Sequence, residues 1–311
     1  MSRPDHFKGF WCPTIPRYTL WLEGPIVKPA YELTLPDVRT TSVVFASPHS
    51  GRSYPWSFMR KSVLDERTIR SSEDAFVDLL FADAPSYGAP LLTAVAPRAF
   101  LDVNRSAEEL DPALIEGVAK SAHNPRVASG LGVVPRVVAN GRAIYRGKLT
   151  QKEAQGRIRD VWHPWHDALQ RLMGESRSLF GEAILIDCHS MPHEAIESIS
   201  NSKGSRPEIV LGDRFGAAAG ADIVDRVEAA FVSAGLRVAR NAPFAGAYVT
   251  QHYGRPTKGQ HVLQIEIDRS LYMNEQLVRP NSHFATFQST ISDVVAEIAQ
   301  IGRASMPLAA E

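Results

Sequence analysis

Apolar positions along this chain fall into two patterns. Short, nearly continuous apolar runs at 41–47 (TSVVFAS), 91–95, 183–187 (AILID), 208–211, 236–239 and 261–267 predict strands. The run at 41–47 does not alternate, which suits an interior strand covered on both faces. Between the runs, apolar residues recur every three or four positions. Phe76, Val77, Leu80 and Phe81 predict a helix over 73–83, with Ser72 as its cap and Glu73 and Asp74 in its first turn. A longer helix is predicted over 150–179, where Thr150 and Glu153 have capping-box spacing and Pro164 should kink or divide the element. Further helices are expected at 213–234, with Phe215, Ile223, Val227 and Phe231 on one side, and at 286–301. Strands separated by helices argue for a three-layer α/β architecture.

The 311 residues, 44% of them apolar, can build a substantial core, and no linker divides the chain, so one catalytic domain over 1–311 is expected. The 34 basic and 34 acidic residues balance, and the basic ones form no block, so no nucleic-acid partner is expected. No stretch approaches the ~18 apolar residues of a membrane span. Cys12 and Cys188 are too few for a disulfide framework, and the start MSRPDHFKGFW lacks a secretory apolar segment; both point to the cytoplasm. The stretch 118–147 is rich in Gly, Pro and Arg and lacks a period, so it reads as an active-site cover or an irregular excursion. Oligomeric state is left open.

His49 and His189 each follow a predicted buried strand, where ligands gather in open α/β sheets. A His in that place is equally well a polar loop residue, but two of them repeating the placement suggest a metal site. A hydrolytic zinc needs a third protein ligand, for which Glu73 and Asp74 are candidates, with Asp187 as another acidic neighbour or a support for His189. In HVLQIEIDRS, period-two alternation sets Gln264, Glu266 and Asp268 on one face and Ile265 and Ile267 on the other. Glu266 is then either paired with an arginine or a general base. No HExxH, Cys-rich zinc motif, dinucleotide fingerprint, P-loop or nucleophile elbow is present. His163 and His166, flanked by Trp162 and Trp165, read as packing residues.

Eight ordered segments resemble the N-formylglutamate amidohydrolase family: SPHSGRSYP at 47–55, EDAFVDLLF at 73–81, FLDVNR at 100–105, IYRGKLTQKEAQGRI at 144–158, HPWH at 163–166, LIDCHSMP at 185–192, EIVLGDR at 208–214 and HVLQIEIDRSLYMNE at 261–275. The resemblance implies a three-layer α/β/α fold with a central mixed sheet, zinc carboxypeptidase-like. It also implies one zinc ion and hydrolysis of N-formyl-L-glutamate, a small carboxylate-bearing N-acyl amino acid, in histidine degradation. Carried over by position, His49 and His189 look like metal ligands and Glu266 like the catalytic base. The register of EDAFVD selects Asp74 as the acidic ligand, with Glu73 as competitor because Ala75 stands where the family pattern has an aromatic residue. Asn104 and Arg105 look like a carboxylate-gripping pair, with Arg105 also counted among the catalytic residues. Arg214 and Arg269 are candidates for a second substrate carboxylate. Three other readings stay open: a zinc amidohydrolase of another N-acyl amino acid or small amide, a carboxylate-binding module without turnover, and a serine hydrolase using Ser50 or Ser190.

Overall fold

The computed structural model describes residues 29–119, 124–197 and 206–303. Seven strands form one mixed sheet: β1 (Tyr31–Thr34), β2 (Val43–Ser47), β3 (Leu91–Ala94), β4 (Ala183–Met191), β5 (Ile209–Gly212), β6 (Val238–Arg240) and β7 (Gln260–Asp268), in the order β1-β3-β2-β4-β7-β5-β6. β3, β2, β4 and β7 are parallel neighbours, whereas β1 is antiparallel to β3 and β5 to β7. Helices cover both faces, giving the three-layer α/β/α sandwich with a mixed sheet. The exposed edge strand β1, YELT, alternates between half-buried and exposed positions and is too short and polar to stand out in the sequence.

The alternation of the central strands splits the core in two. Val43, Phe45, Ile184, Ile186, Leu263, Ile265 and Ile267 pack beneath the Ala221–Ser233 and Phe284–Ile301 helices. Val44, Ala46, Leu185 and Val262 pack on the opposite face with Trp165, Leu169 and Leu172 of the His163–Phe180 helix. Contiguous burial of β4 over all nine residues explains its unbroken apolar start.

Three predicted helices have different bounds. The one expected at 73–83 shrinks to Val77–Leu80, because Phe76 takes a left-handed conformation (φ 68°) and breaks the chain direction just after Asp74. Glu73 and Asp74 therefore lie in the turn before the helix. The 213–234 helix starts only at Ala221, and Phe215, expected on its buried side, is 80% exposed. Over 150–179, Thr150 caps Gln151–Arg157 by accepting from the Glu153 backbone N–H. The chain then widens into a π-helical turn at Ile158–Trp162 before the His163–Phe180 helix. Pro164 sits in the first turn of that helix, where its missing N–H is least costly, so the division falls one turn earlier than the proline. Among the described residues no helix is long and apolar enough to cross a membrane.

Candidate metal centre and active site

Two strands reverse their chemistry near their carboxyl ends. On the face where β4 buries Leu185 it next presents Asp187 and His189, and β7 presents Gln264 and Glu266 after Val262. Parallel pairing sets Asp187 beside Gln264 and His189 beside Glu266. β4 runs on to Met191, so His189 belongs to the strand itself and inherits its fixed direction. His189, Gln264 and Glu266 floor a cavity of about 620 Å³ that is also lined by His49, Asp74, Arg98, Asp102 and Arg105.

His49 arrives from the turn after β2. The next glycine, Gly51, allows that turn to press against the loop after β3, since a Cβ there would lie 2.1 Å from the Ala96 carbonyl oxygen. The Asp74 N–H donates to the His49 carbonyl (3.0 Å), which ties the two loops together at their functional residues. Asp74 Oδ2 lies 2.9 Å from His189 Nδ1 and 3.4 Å from His49 Nδ1. The three donor atoms of His49, Asp74 and His189 all lie within 4.8 Å of one another, a group able to hold a single metal ion.

The remaining imidazole atoms show why a cation fits. His49 Nε2 lies 2.7 Å from Asp102 Oδ1, and His189 Nε2 lies 3.0 Å from Asp187 Oδ2. Each carboxylate accepts a hydrogen bond from the Nε2–H of its histidine, so both rings turn an Nδ1 lone pair toward Asp74. His49 Nδ1 is buried and has no hydrogen-bond partner. Two lone pairs and a carboxylate facing one another in a buried space repel unless a positive charge sits among them. Without a metal a proton does this duty: burial works against the charged His189 ring, but Asp187 and Asp74 hold its pKa well above the usual range. Burial likewise opposes the Asp74 charge, yet the hydrogen bond with His189 and the attraction of the His189 and His49 rings keep that carboxyl well below its ordinary value.

Glu73 is committed elsewhere. Its carboxylate accepts from Arg70 Nε and Nη2 at about 3.0 Å and from the Tyr54 hydroxyl, and it stands outside the His49, Asp74 and His189 group. Asn104 lines the cavity, but its amide is already engaged by the protein. Its amide Nδ2 donates to Asp187 (3.2 Å) and lies 3.1 Å from His189 Nε2, while its Oδ1 accepts from the Val249 N–H (2.8 Å). Asn104 thus braces the His189 ring instead of presenting a free amide. Arg269 donates to Asp74 Oδ1 (3.0 Å) and to the Ser190 hydroxyl (3.2 Å), which fixes the ligand carboxylate and consumes the arginine. Arg214 lies outside the cavity lining, and among the described residues its side chain reaches the Gly246 carbonyl. Neither arginine is left to meet a second substrate carboxylate. Arg105 lines the cavity, its Nε on the Leu131 carbonyl (3.1 Å) and its Nη1 on the Asn104 carbonyl (2.9 Å).

Glu266 is 8% exposed and accepts from Gln264 Nε2 (2.9 Å). Burial pushes its pKa up to about 7, with His189 opposing and Asp74 adding to the shift. A carboxyl poised there can exchange a proton near neutral pH. Asp102 and Arg98 escaped the sequence reading. Arg98 Nε donates to Asp102 Oδ2 (3.0 Å); burial disfavours its charge, and Asp102, Asp74 and Glu266 more than restore it. The available signal was Asp102 standing two residues before Asn104 in FLDVNR. His166 packs as expected: Nε2 meets the Val103 carbonyl (2.9 Å), Nδ1 the Tyr253 hydroxyl (2.8 Å), and burial lowers its pKa to about 3.

A model of the N-formylglutamate amidohydrolase family matches residues 41–273, a span that holds every residue of this site. The chain belongs to the N-formylglutamate amidohydrolase family. It is 25% identical over 259 residues to an N-formylglutamate deformylase of Pseudomonas aeruginosa, covering 82% of this chain and 90% of that protein. It is 26% identical to the Pseudomonas putida deformylase, covering 75% and 82%. The crystal structure of an N-formylglutamate amidohydrolase from Ralstonia eutropha JMP134 superposes with a TM-score of 0.82 at 35% identity, covering 88% of this chain and 99% of that one. A gene product of Agrobacterium tumefaciens, 15% identical, shares the fold with a TM-score of 0.62 over 88% of this chain and 95% of its own.

Proposed function

We propose that this chain is a zinc-dependent amidohydrolase that cleaves N-formyl-L-glutamate to formate and L-glutamate. What carries the reading is one observation: in a chain of this family, the His49, Asp74 and His189 group and Glu266 line the same cavity. His49 and His189 through Nδ1, and Asp74 through Oδ2, would hold the ion. Zinc bound there supplies Lewis acidity at neutral pH without redox chemistry.

The protein's own groups account for the rest. Glu266 takes a proton from the attacking water, whose oxygen bonds to the formyl carbon; the C–N bond then breaks as that proton passes to the leaving nitrogen. Arg98, balanced by three carboxylates, stands where it can stabilise negative charge developing on the carbonyl oxygen. Arg105 binds the α-carboxylate through Nη2, the guanidinium nitrogen that its bonds to the Leu131 and Asn104 carbonyls leave over. Asp102, Asp187 and Asn104 hold the two imidazoles in one tautomer and one orientation. Cys188 is a buried free thiol, which fits a cytoplasmic enzyme, and the product glutamate fits a step of histidine degradation.

The test is formate release from N-formyl-L-glutamate by zinc-loaded protein, compared with release of larger acyl groups. Turnover that a chelator abolishes and zinc restores is the expected result. Metal-dependent turnover of other amides alone would replace this substrate with another N-acyl amino acid. Ligand binding without any turnover would make the chain a binding module.

A further inference from the structure

Four arginines line the cavity: Arg98, Arg105, Arg126 and Arg269. Three are engaged with the protein: Arg98 with Asp102, Arg105 with two backbone carbonyls, and Arg269 with Asp74, Ser190 and Ser71. Arg126 differs. It is exposed at the cavity wall, and its guanidinium has no hydrogen bond or ion pair among the described residues.

The backbone beneath Arg126 is fixed even though its side chain is free. Asn124 caps the short Pro125–Ala128 helix by accepting from the Arg126 N–H (3.0 Å) and the Val127 N–H (3.3 Å). The Leu131 N–H donates to the Arg126 carbonyl (2.8 Å), and the Leu131 carbonyl in turn accepts from Arg105 Nε (3.1 Å). One residue thus clamps both arginines in the same wall. Their charges oppose each other: Arg105 is disfavoured first by burial, with Asp102 compensating and Arg98 and Arg126 adding repulsion. The nearby Glu109 carboxylate is occupied by the Ser106 N–H and the Asn124 amide. Arg126 has no carboxylate partner among the described residues, and Arg105 shares Asp102 (4.0 Å) with Arg98 and His49, so this wall suits an anion from outside. Leu131 and Val137 on the same wall offer apolar contact to a short methylene chain joining two carboxylates.

We propose that Arg126 binds the side-chain carboxylate of the substrate and sets the preference for an N-formylated acidic amino acid over its neutral analogue. This rests on the deformylase reading above and assigns the second carboxylate to a residue other than Arg214 or Arg269. Arg105 takes the α-carboxylate, being the deeper of the two and adjacent to Asn104.

The experiment compares N-formyl-L-glutamate with N-formyl-L-glutamine, which has the same size without the charge, in zinc-loaded wild type, Arg126→Met and Arg126→Lys. Arg126→Met should lower kcat/KM for N-formyl-L-glutamate about 10- to 100-fold, mostly through KM, the range of a lost charge-assisted hydrogen bond. Its effect on N-formyl-L-glutamine should stay below about threefold, and Arg126→Lys should recover part of the loss. Equal losses on both substrates, or an undiminished preference for the acid, would overturn the assignment. Should the wild type leave N-formyl-L-glutamate intact, the deformylase reading fails by itself. Calorimetric binding of L-glutamate against L-glutamine then decides the receptor separately. A glutamate preference lost in Arg126→Met supports it; one retained in the variant, or absent from the wild type, overturns it.

Discussion

β4 and β7 are each one strand with two characters. On one face Cys188, Ile265 and Ile267 are sealed under the Ala221–Ser233 and Phe284–Ile301 helices. On the other, one residue away along each strand, Asp187, His189, Gln264 and Glu266 are nearly as buried. The apolar face is stabilised by burial alone, whereas the polar face would be unstable without partners. It has them: Asp187 meets His189 and Asn104, and Gln264 meets Glu266. Burial is therefore no guide to which face carries chemistry; the partners are. Glu73 and Asp74 make the same point at closer range. Both are buried acids, but only Asp74 stands with the two histidines, while Glu73 neutralises Arg70.

The largest effect expected on the polar face is that of Glu266→Gln, which keeps shape and removes the proton acceptor. Formate release should fall about 10²- to 10⁴-fold in kcat, the usual share of a general base, with zinc content by mass spectrometry unchanged. Activity within tenfold of wild type would remove Glu266 from the mechanism. On the apolar face, Ile265→Ala should do the reverse. It should cost about 2–5 kcal/mol of unfolding free energy in urea while leaving kcat/KM of the folded enzyme near wild type. A comparable loss of kcat would mean that the two faces are not separable.

Asp187→Asn probes the join between them, since Asp187 is fully buried and acts through His189. Zinc affinity in a competition titration should weaken about 10- to 100-fold, the range found for supports of metal-binding histidines. Glu73→Gln is the control, with zinc affinity unchanged. A comparable weakening in Glu73→Gln would put Glu73 at the metal and overturn the assignment of Asp74; unchanged affinity in Asp187→Asn would remove Asp187 as the support of His189.

Much of this was readable in the sequence. Strands β2 and β4 stand out because burial on both faces demands unbroken apolar runs, and alternation in HVLQIEID already set Glu266 opposite Ile265. His49 and His189 followed from their position at strand ends. The division of labour among the polar residues was not readable. Whether Asp74 or Glu73 faces the histidines depends on the left-handed turn at Phe76, a conformation that phenylalanine does not advertise. Asp102 and Asn104 lie far in sequence from the imidazoles they hold, so no local period reveals them. The excursion at 118–147, part of which lies outside the described residues, was read as a cover or an irregular loop; its described part supplies Leu131, Val137 and Arg126 to the cavity wall. The arginines are the clearest case. The resemblance offered Arg214 and Arg269 as candidates for a second carboxylate, with a structural role as the alternative; one lies off the cavity and the other is engaged by Asp74.

The smallest effect expected is on stability against pH, and it separates the faces without any assay of turnover. In metal-free protein Glu266 is raised to about 7 from an ordinary value of 4.5, so the folded state holds a proton that the unfolded chain releases. Stability from this group is full below about pH 4.5 and is lost as pH rises through about 7. His189, also raised, acts in the same direction at higher pH, while Asp74, held low, stabilises above its unfolded value and loses that contribution only in acid. Urea midpoints of the metal-free protein should therefore fall between pH 5 and pH 7.5. Glu266→Gln should flatten that slope, whereas Ile265→Ala should lower the whole curve and keep its shape. Zinc should also flatten it, because the cation takes over the charge that the proton balances, and zinc binding to the folded state alone raises every midpoint. A slope unchanged in Glu266→Gln would place the proton elsewhere, with His189 as the remaining group of the same sign.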